Sequence, residues 1–294
     1  MRKQRSGSVW MILPLYIFTL IFVAGPLLYV LALSFAKSAP AHGIEWTFSW
    51  DSYRKILEPV YLSTFAGSFR LAVTSTFFIC LIGYPFGYFM AKLSDKWKKR
   101  AMIFLMLPFW VNSLIRLYGC MIILQTKGVL NHVLKTLGII EKPLRILYSY
   151  PAIVVGMIYV LLPFMILSVY SSAEKLDWSL VEAARDLGAG PFRAFLDITL
   201  PLILPAVMSG SLLAFAMSMD DVVISIFVNS PRVSTLPIKV YTQLKTGVTP
   251  EINALCTIML AVTLLVLLVY SLVEKVTGNK KYNSIKNTGE NKNR

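Results

Sequence analysis

Along the 294 residues, polar positions gather into short blocks that separate six long apolar runs, at about 10–36, 65–91, 101–125, 147–171, 202–228 and 253–273. No run alternates apolar with polar residues, as a barrel strand of about 10 residues would. Each run reaches the roughly 20 helical residues that cross a hydrocarbon core. The pattern therefore predicts six transmembrane helices. Runs 10–36, 147–171 and 253–273 are free of charge, whereas the other three carry Arg70, Arg116 and the adjacent pair Asp220 and Asp221. Arg2, Lys3 and Arg5 precede the first run in the manner of a signal peptide, but a signal core has only about 7–15 apolar residues. With no small-x-small cleavage site behind it, the run reads as a retained helix.

Composition agrees with the pattern. The chain is 56% hydrophobic and 15% charged, with a mean hydropathy of +0.65, against about 25% charged residues in a soluble domain. The expected class is an all-α integral membrane protein with one transmembrane domain over 1–294. A soluble enzyme, a secreted disulfide scaffold and a disordered regulator are excluded. Cys80, Cys120 and Cys256 are odd in number, widely spaced and set in apolar stretches, and His42 and His132 lie far apart. No disulfide framework, metal site or cofactor is expected from them. The net charge of +14 would suggest nucleic acid in a soluble protein, but no basic motif interleaved with aromatics accompanies it.

The basic residues set an orientation instead. With both termini inside, the pieces 1–9, 92–100, 172–201 and 274–294 hold 17 lysines and arginines, and the outer pieces hold 10. Lys92, Lys96, Lys98, Lys99 and Arg100 crowd into nine residues. The positive-inside rule thus gives an N-in, C-in topology. In the first outer loop, Trp50, Tyr53, Ile56 and Leu57 fall at the spacing of a short amphipathic helix. The tail 276–294, rich in Lys, Asn and Gly, is expected to be disordered.

Residues 172–201 are more than a connector. Asp177 or Ser179 is placed to cap a helix over Leu180–Leu187, Gly188 to stop it, and Pro191 to open a second helix. Pro201 and Pro205 mark the return to the membrane. The first helix presents Glu182, Arg185 and Asp186 beside the small residues Ala183 and Ala184. Five acids against three bases suit an anionic lipid surface poorly. A protein partner on the inner face is the better reading.

Glu182-Ala183-Ala184, three residues, Gly188, nine residues, then Ile198-x-Leu200-Pro201 resembles the EAA signature of permease subunits of bacterial ABC importers. Wider likeness narrows this to the spermidine/putrescine permeases of the PotB/PotC type. The carrying segments are Phe48–Leu57, Leu107–Gly119, Thr126–Leu130, Tyr170–Pro201 and Leu213–Asn253. The wording is PotB-like up to the elbow, and PotC-like in MSMDDVVISIF, LPIKVY and GVTPEINA. The resemblance implies that Glu182, Ala183, Ala184, Gly188, Ile198, Leu200 and Pro201 couple the chain to a cytoplasmic ATPase dimer. It also implies a second permease, sister or identical, and an extracytoplasmic polyamine-binding protein. No phosphate loop G-x-x-x-x-G-K-[ST] occurs in the chain, so ATP is expected on the partner.

An aspartate at the centre of a bilayer costs about 2.5–3.5 kcal/mol on insertion scales. Asp220 and Asp221 therefore face a pathway, pair with Arg70 or Arg116, hold helices together, or mark a helix end. The implied polycationic cargo suits acids and aromatic faces, which makes Trp110 and Tyr118 further pathway candidates, with the interfacial aromatic belt as their alternative role. The same family would also accommodate thiamine, an aminophosphonate or iron as cargo, and a membrane sensor or scaffold, or a membrane-embedded enzyme, are the rival classes. The expected location is the bacterial cytoplasmic membrane.

Overall fold

The computed structural model describes residues 13–39, 43–228, 235–245 and 247–291, with side chains through 272; residues 10–12 of the first expected span and His42 lie outside them. Among the described residues, six helical segments are long and apolar enough to cross a membrane: Leu13–Ser34, Pro59–Lys92, Ser113–Thr136 (interrupted at 125–128), Tyr150–Glu174, Pro191–Asp220 and Pro250–Leu272. The elements, in chain order, are α1 (Leu13–Ser34), the strands β1 (Lys37–Ala39) and β2 (Gly43–Glu45), α2 (Asp51–Ile56) and α3 (Pro59–Lys92). There follow α4 (Asp95–Trp110), α5 (Ser113–Leu124), α6 (Val129–Thr136), α7 (Tyr150–Glu174) and α8 (Ser179–Asp186). The last are α9 (Pro191–Asp220), α10 (Val223–Val228), α11 (Leu236–Leu244) and α12 (Pro250–Asn291).

Two compact units are present, one made of 1–64 with 239–264 and the other of 65–238 with 265–294. In the first unit, β1 and β2 pair antiparallel with Lys37 opposite Glu45. The ring of Phe35 stacks on Phe48 and meets Trp50 and Tyr53, and the Tyr53 and Ser34 hydroxyls lie 2.8 Å apart. The short helix expected around Trp50 is α2, with Trp50 and Leu57 flanking its two ends. Ile56 is buried while Trp50 and Leu57 are exposed.

The second unit is built around α7, the most buried of the spanning helices. Ala152, Ile153, Met157, Met165, Val169 and Ala173 are all fully enclosed. Glycines let the neighbours approach it. A Cβ on Gly87 of α3 would fall 2.7 Å from the Ile166 carbonyl oxygen, one on Gly83 2.7 Å from Met165 Cγ, and one on Gly210 of α9 2.6 Å from Met165 Sδ. In membranes, where lipid is as apolar as leucine, such small-residue contacts are what hold helices together.

Two spans depart from the single helices expected. The run 101–125 is broken at Val111 and Asn112, directly after Trp110 ends α4, and Asn112 Oδ1 caps α5 by accepting from Leu114 N at 2.8 Å. The run 202–228 is broken at Asp221 and Val222 between α9 and α10. Two helices, α1 and α9, also widen. At Leu20–Ala24 and Phe195–Thr199 the backbone makes a π turn, with Gly25 N–H bonded to Leu20 O and Leu200 N–H to Phe195 O. Each π turn has a proline two residues past its end, Pro26 or Pro201. A proline has no N–H to give and its ring crowds the carbonyl four residues back, and a wider turn relieves that clash. Finally, α12 runs in helix from Pro250 to Asn291.

Candidate functional site

The elbow is as sharp as its sequence requires. Asp177 Oδ1 accepts from Ser179 N at 3.0 Å and starts α8, which runs over Ser179–Asp186, one residue ahead of the expected range. Gly188 takes φ +87°, its N–H reaching Arg185 O at 2.9 Å and the next N–H reaching Ala184 O at 3.0 Å. This paired closure is the glycine stop of a helix, open at low cost only to a residue without a Cβ. Pro191 then opens α9 where its missing N–H is no loss. Glu182, Arg185, Asp186, Gly188, Ala189, Gly190 and Pro191 line one shallow groove. Around it Leu187 is 90% and Phe192 74% exposed. Ala183 and Gly188 are exposed in the same region, while Ile198 and Leu200 turn partly inward and Pro201 is exposed.

The basic stretch 92–100 sits at the same end of the second unit. Lys98 Nζ lies 3.9 Å from Glu174 of α7 and 3.9 Å from Asp95. Lys92 Nζ stands 4.4 Å above the Tyr88 ring and 5.0 Å from that of Trp178, the residue before α8.

The intramembrane candidates divide by role. Asp221 is half-buried, and its Oδ2 accepts from Ser225 N at 3.1 Å, so that it caps α10. Asp220 is exposed at the end of α9. Neither aspartate lies in an ion pair with Arg70 or Arg116 among the described residues. Arg70 is exposed, and Arg116 faces the Phe109 ring at 5.8 Å. Trp110, 89% exposed, stands at the α4–α5 break, and Tyr118 is exposed on α5. Since α10 packs against both α5 and α7, the two breaks belong to neighbouring spans. Non-helical backbone at membrane depth persists only where protein or a water-filled cavity satisfies it. Sequence reasoning found the acids but not the breaks. Asn112 and Asp221, each a cap-forming residue inside an apolar run, were the available signal.

Residues 83–277 match the family described as binding-protein-dependent transport system inner membrane component. The chain belongs to that family, whose members are the membrane-spanning permease subunits of ABC importers. Such subunits carry no ATPase of their own and work with an ATPase and a substrate-binding protein. The chain is 42% identical over 199 residues to the spermidine/putrescine transport system permease protein PotB of Escherichia coli, covering 68% of this chain and 72% of that one. It is 46% identical over 120 residues to the permease protein PotC of the same system and organism, covering 40% and 46%. A solved bacterial alginate ABC transporter, in complex with an alginate pentasaccharide-bound periplasmic protein, contains a chain that superposes with a TM-score of 0.74 at 17% identity. The match covers 92% of this chain and 96% of that one. The fold is thus that of an importer permease, and the protein is an inner-membrane one.

Proposed function

We propose that the chain moves polyamines, spermidine or putrescine, inward as one half of a two-permease pathway, and performs no covalent chemistry itself. The observation that carries the cargo is the 42% identity to PotB over two thirds of both chains. Cargo of that kind carries ammonium groups, which favour carboxylates and aromatic faces. Asp220, exposed beside a helix break, is the acid assigned to meet them, with Asp221 at the same break. Trp110 and Tyr118 supply exposed rings on the neighbouring interrupted span.

The elbow Glu182–Pro201 is assigned to the ATPase, with both chain termini on that side of the membrane. Exposed Leu187 and Phe192 offer apolar contact, Ala183 and Ala184 allow close approach, and Glu182 and Arg185 set register. The nearness of the lysine-rich stretch 92–100 supports this orientation, because such stretches stay inside. ATP favours the closed ATPase dimer, and this differential binding is the free energy that shifts the spans between inward and outward access.

Uptake of labelled spermidine in polyamine-transport-deficient cells tests the reading, with the chain expressed alongside its ATPase, sister permease and binding protein. Saturable, ATP-dependent uptake is the expected result. No uptake by a verified assembly would overturn the polyamine cargo.

A further inference from the structure

The elbow leaves the bundle at Trp178 and rejoins it at Phe195, the first residue of the π turn. One side chain touches both roots. The Tyr88 ring, 9% exposed in the last turns of α3, lies 6.0 Å from the Trp178 ring and 5.8 Å, edge-on, from that of Phe195. Tyr84, one turn earlier, stacks on Tyr88 at 6.3 Å and meets Phe195 at 6.2 Å. Lys92, one turn later, places its ammonium over both Tyr88 and Trp178. Gly87, next to Tyr88, lies tight on the backbone of α7, the helix that leads into the elbow.

We propose that Tyr88 is a positioning residue for transport, pinning Trp178 and Phe195 to the end of α3 so that elbow and α3 move as one body. The inference rests on the assignment of the elbow to the ATPase. Without the clamp, the elbow would hang from two flexible roots, a bend after α7 and a π turn before Pro201. A push on its tip would then be absorbed locally. Aromatic pairs of this geometry are attractive beyond the area they bury, and a cation over the rings adds to them. Tyr88 is a buried member of the hydrophobic core of the second unit, with Tyr84, Trp178 and Phe195 partly buried against it, so the box ties both roots of the elbow to that core.

The test uses the full chain, assembled with its partners in nanodiscs, with Cys80, Cys120 and Cys256 replaced by serine. Nitroxide labels are placed at Leu93→Cys, just past α3, and Arg193→Cys, an exposed position on the second arm of the elbow. Expected is one narrow label-to-label distance that persists on adding ATP and vanadate. Tyr88→Leu should broaden it at least twofold and Tyr88→Phe should not, since the ring and not the hydroxyl makes the contacts. In the unlabelled assembly, Tyr88→Leu should cut spermidine uptake per ATP hydrolysed at least fivefold, with hydrolysis within twofold of wild type. Trp178→Leu, at a half-buried position, repeats both measurements if Tyr88→Leu does not accumulate. Wild-type width in the leucine variants overturns the clamp, and so does a wild-type uptake ratio. The distance needs no cargo, so a wild type that fails to take up spermidine leaves the clamp tested. ATPase co-purification with Leu187→Arg probes the underlying assignment separately: undiminished recovery would overturn elbow docking itself.

Discussion

Glu251 Oε1 lies 2.7 Å from the Lys55 ammonium, joining the start of α12 to the end of α2 across 196 residues of sequence. Ser38 Oγ donates to the same oxygen at 2.9 Å, so one carboxylate ties the β hairpin, α2 and α12 within the first unit. The carboxylate is far less exposed than the lysine, and that asymmetry decides what a mutation does. Removing Lys55 strands a largely enclosed charge, whereas removing Glu251 frees a lysine that can reach water.

The contact raises the Lys55 pKa above its usual 10.5, chiefly through the hydrogen bond and charge of Glu251. A group raised on folding contributes fully below its unfolded value and loses the contribution as pH climbs through the folded one. The stability difference between wild type and Lys55→Met, about 1 kcal/mol for a pair half in water, should therefore stay level from pH 6 to 9. It should fade only above about pH 10.5. Thermal unfolding in detergent across that range is the check. A difference that vanished by pH 9 would contradict the assignment.

Gly87→Ala should destabilise the chain by roughly 1–3 kcal/mol, because its Cβ would collide with α7 backbone that cannot yield. Gly119→Ala, on α5 with nothing within 4 Å of the added carbon, should be neutral or gain about 0.5–1 kcal/mol of helix propensity. Folded yield and melting temperature in detergent separate the two.

Gly188→Pro should abolish transport at unchanged membrane abundance. Proline cannot adopt φ +87° and removes the N–H that bonds Arg185 O. Gly188→Ala should be milder, costing about 1 kcal/mol of strain in the left-handed region. Uptake at matched expression measures both, and normal uptake by the proline variant would sink the coupling role.

The two aspartates should part company under substitution. Asp221→Asn keeps an oxygen to cap α10, whereas Asp221→Ala removes it at a cost of about 0.5–2 kcal/mol. If charge in the pathway matters, Asp220→Asn lowers uptake at least fivefold with stability unchanged. If Asp221 acts only as a cap, Asp221→Asn transports normally while Asp221→Ala melts earlier. Paired uptake and melting curves on the three variants decide between the roles.

Much of this was legible in the chain. Long apolar runs have only one way to satisfy their backbone in lipid, so spanning helices followed from hydropathy. The elbow followed from Asp177, Gly188 and Pro191, each of which acts through its own local geometry. The breaks at Asn112 and Asp221 were hidden because hydropathy averages over a window, and one cap residue barely moves the average. The aromatic partners of α2 were hidden for a different reason. Phe35 and Phe48 stack with Trp50 and Tyr53 from outside that helix, so its burial is set by partners distant from the local period. The Lys55–Glu251 contact, like the Tyr88 box, depends on the folded path of the chain and left no local pattern at all.

The π turn at Phe195–Thr199 has a rotational consequence. It holds one residue more than an α turn, and each residue of helix advances the side chains by about 100°. Seen from the membrane part of α9, the elbow is therefore turned by about that angle from where an unbroken α-helix would aim it. Deleting a single residue between Phe195 and Thr199 would leave every docking side chain present and point them all at the wrong compass bearing.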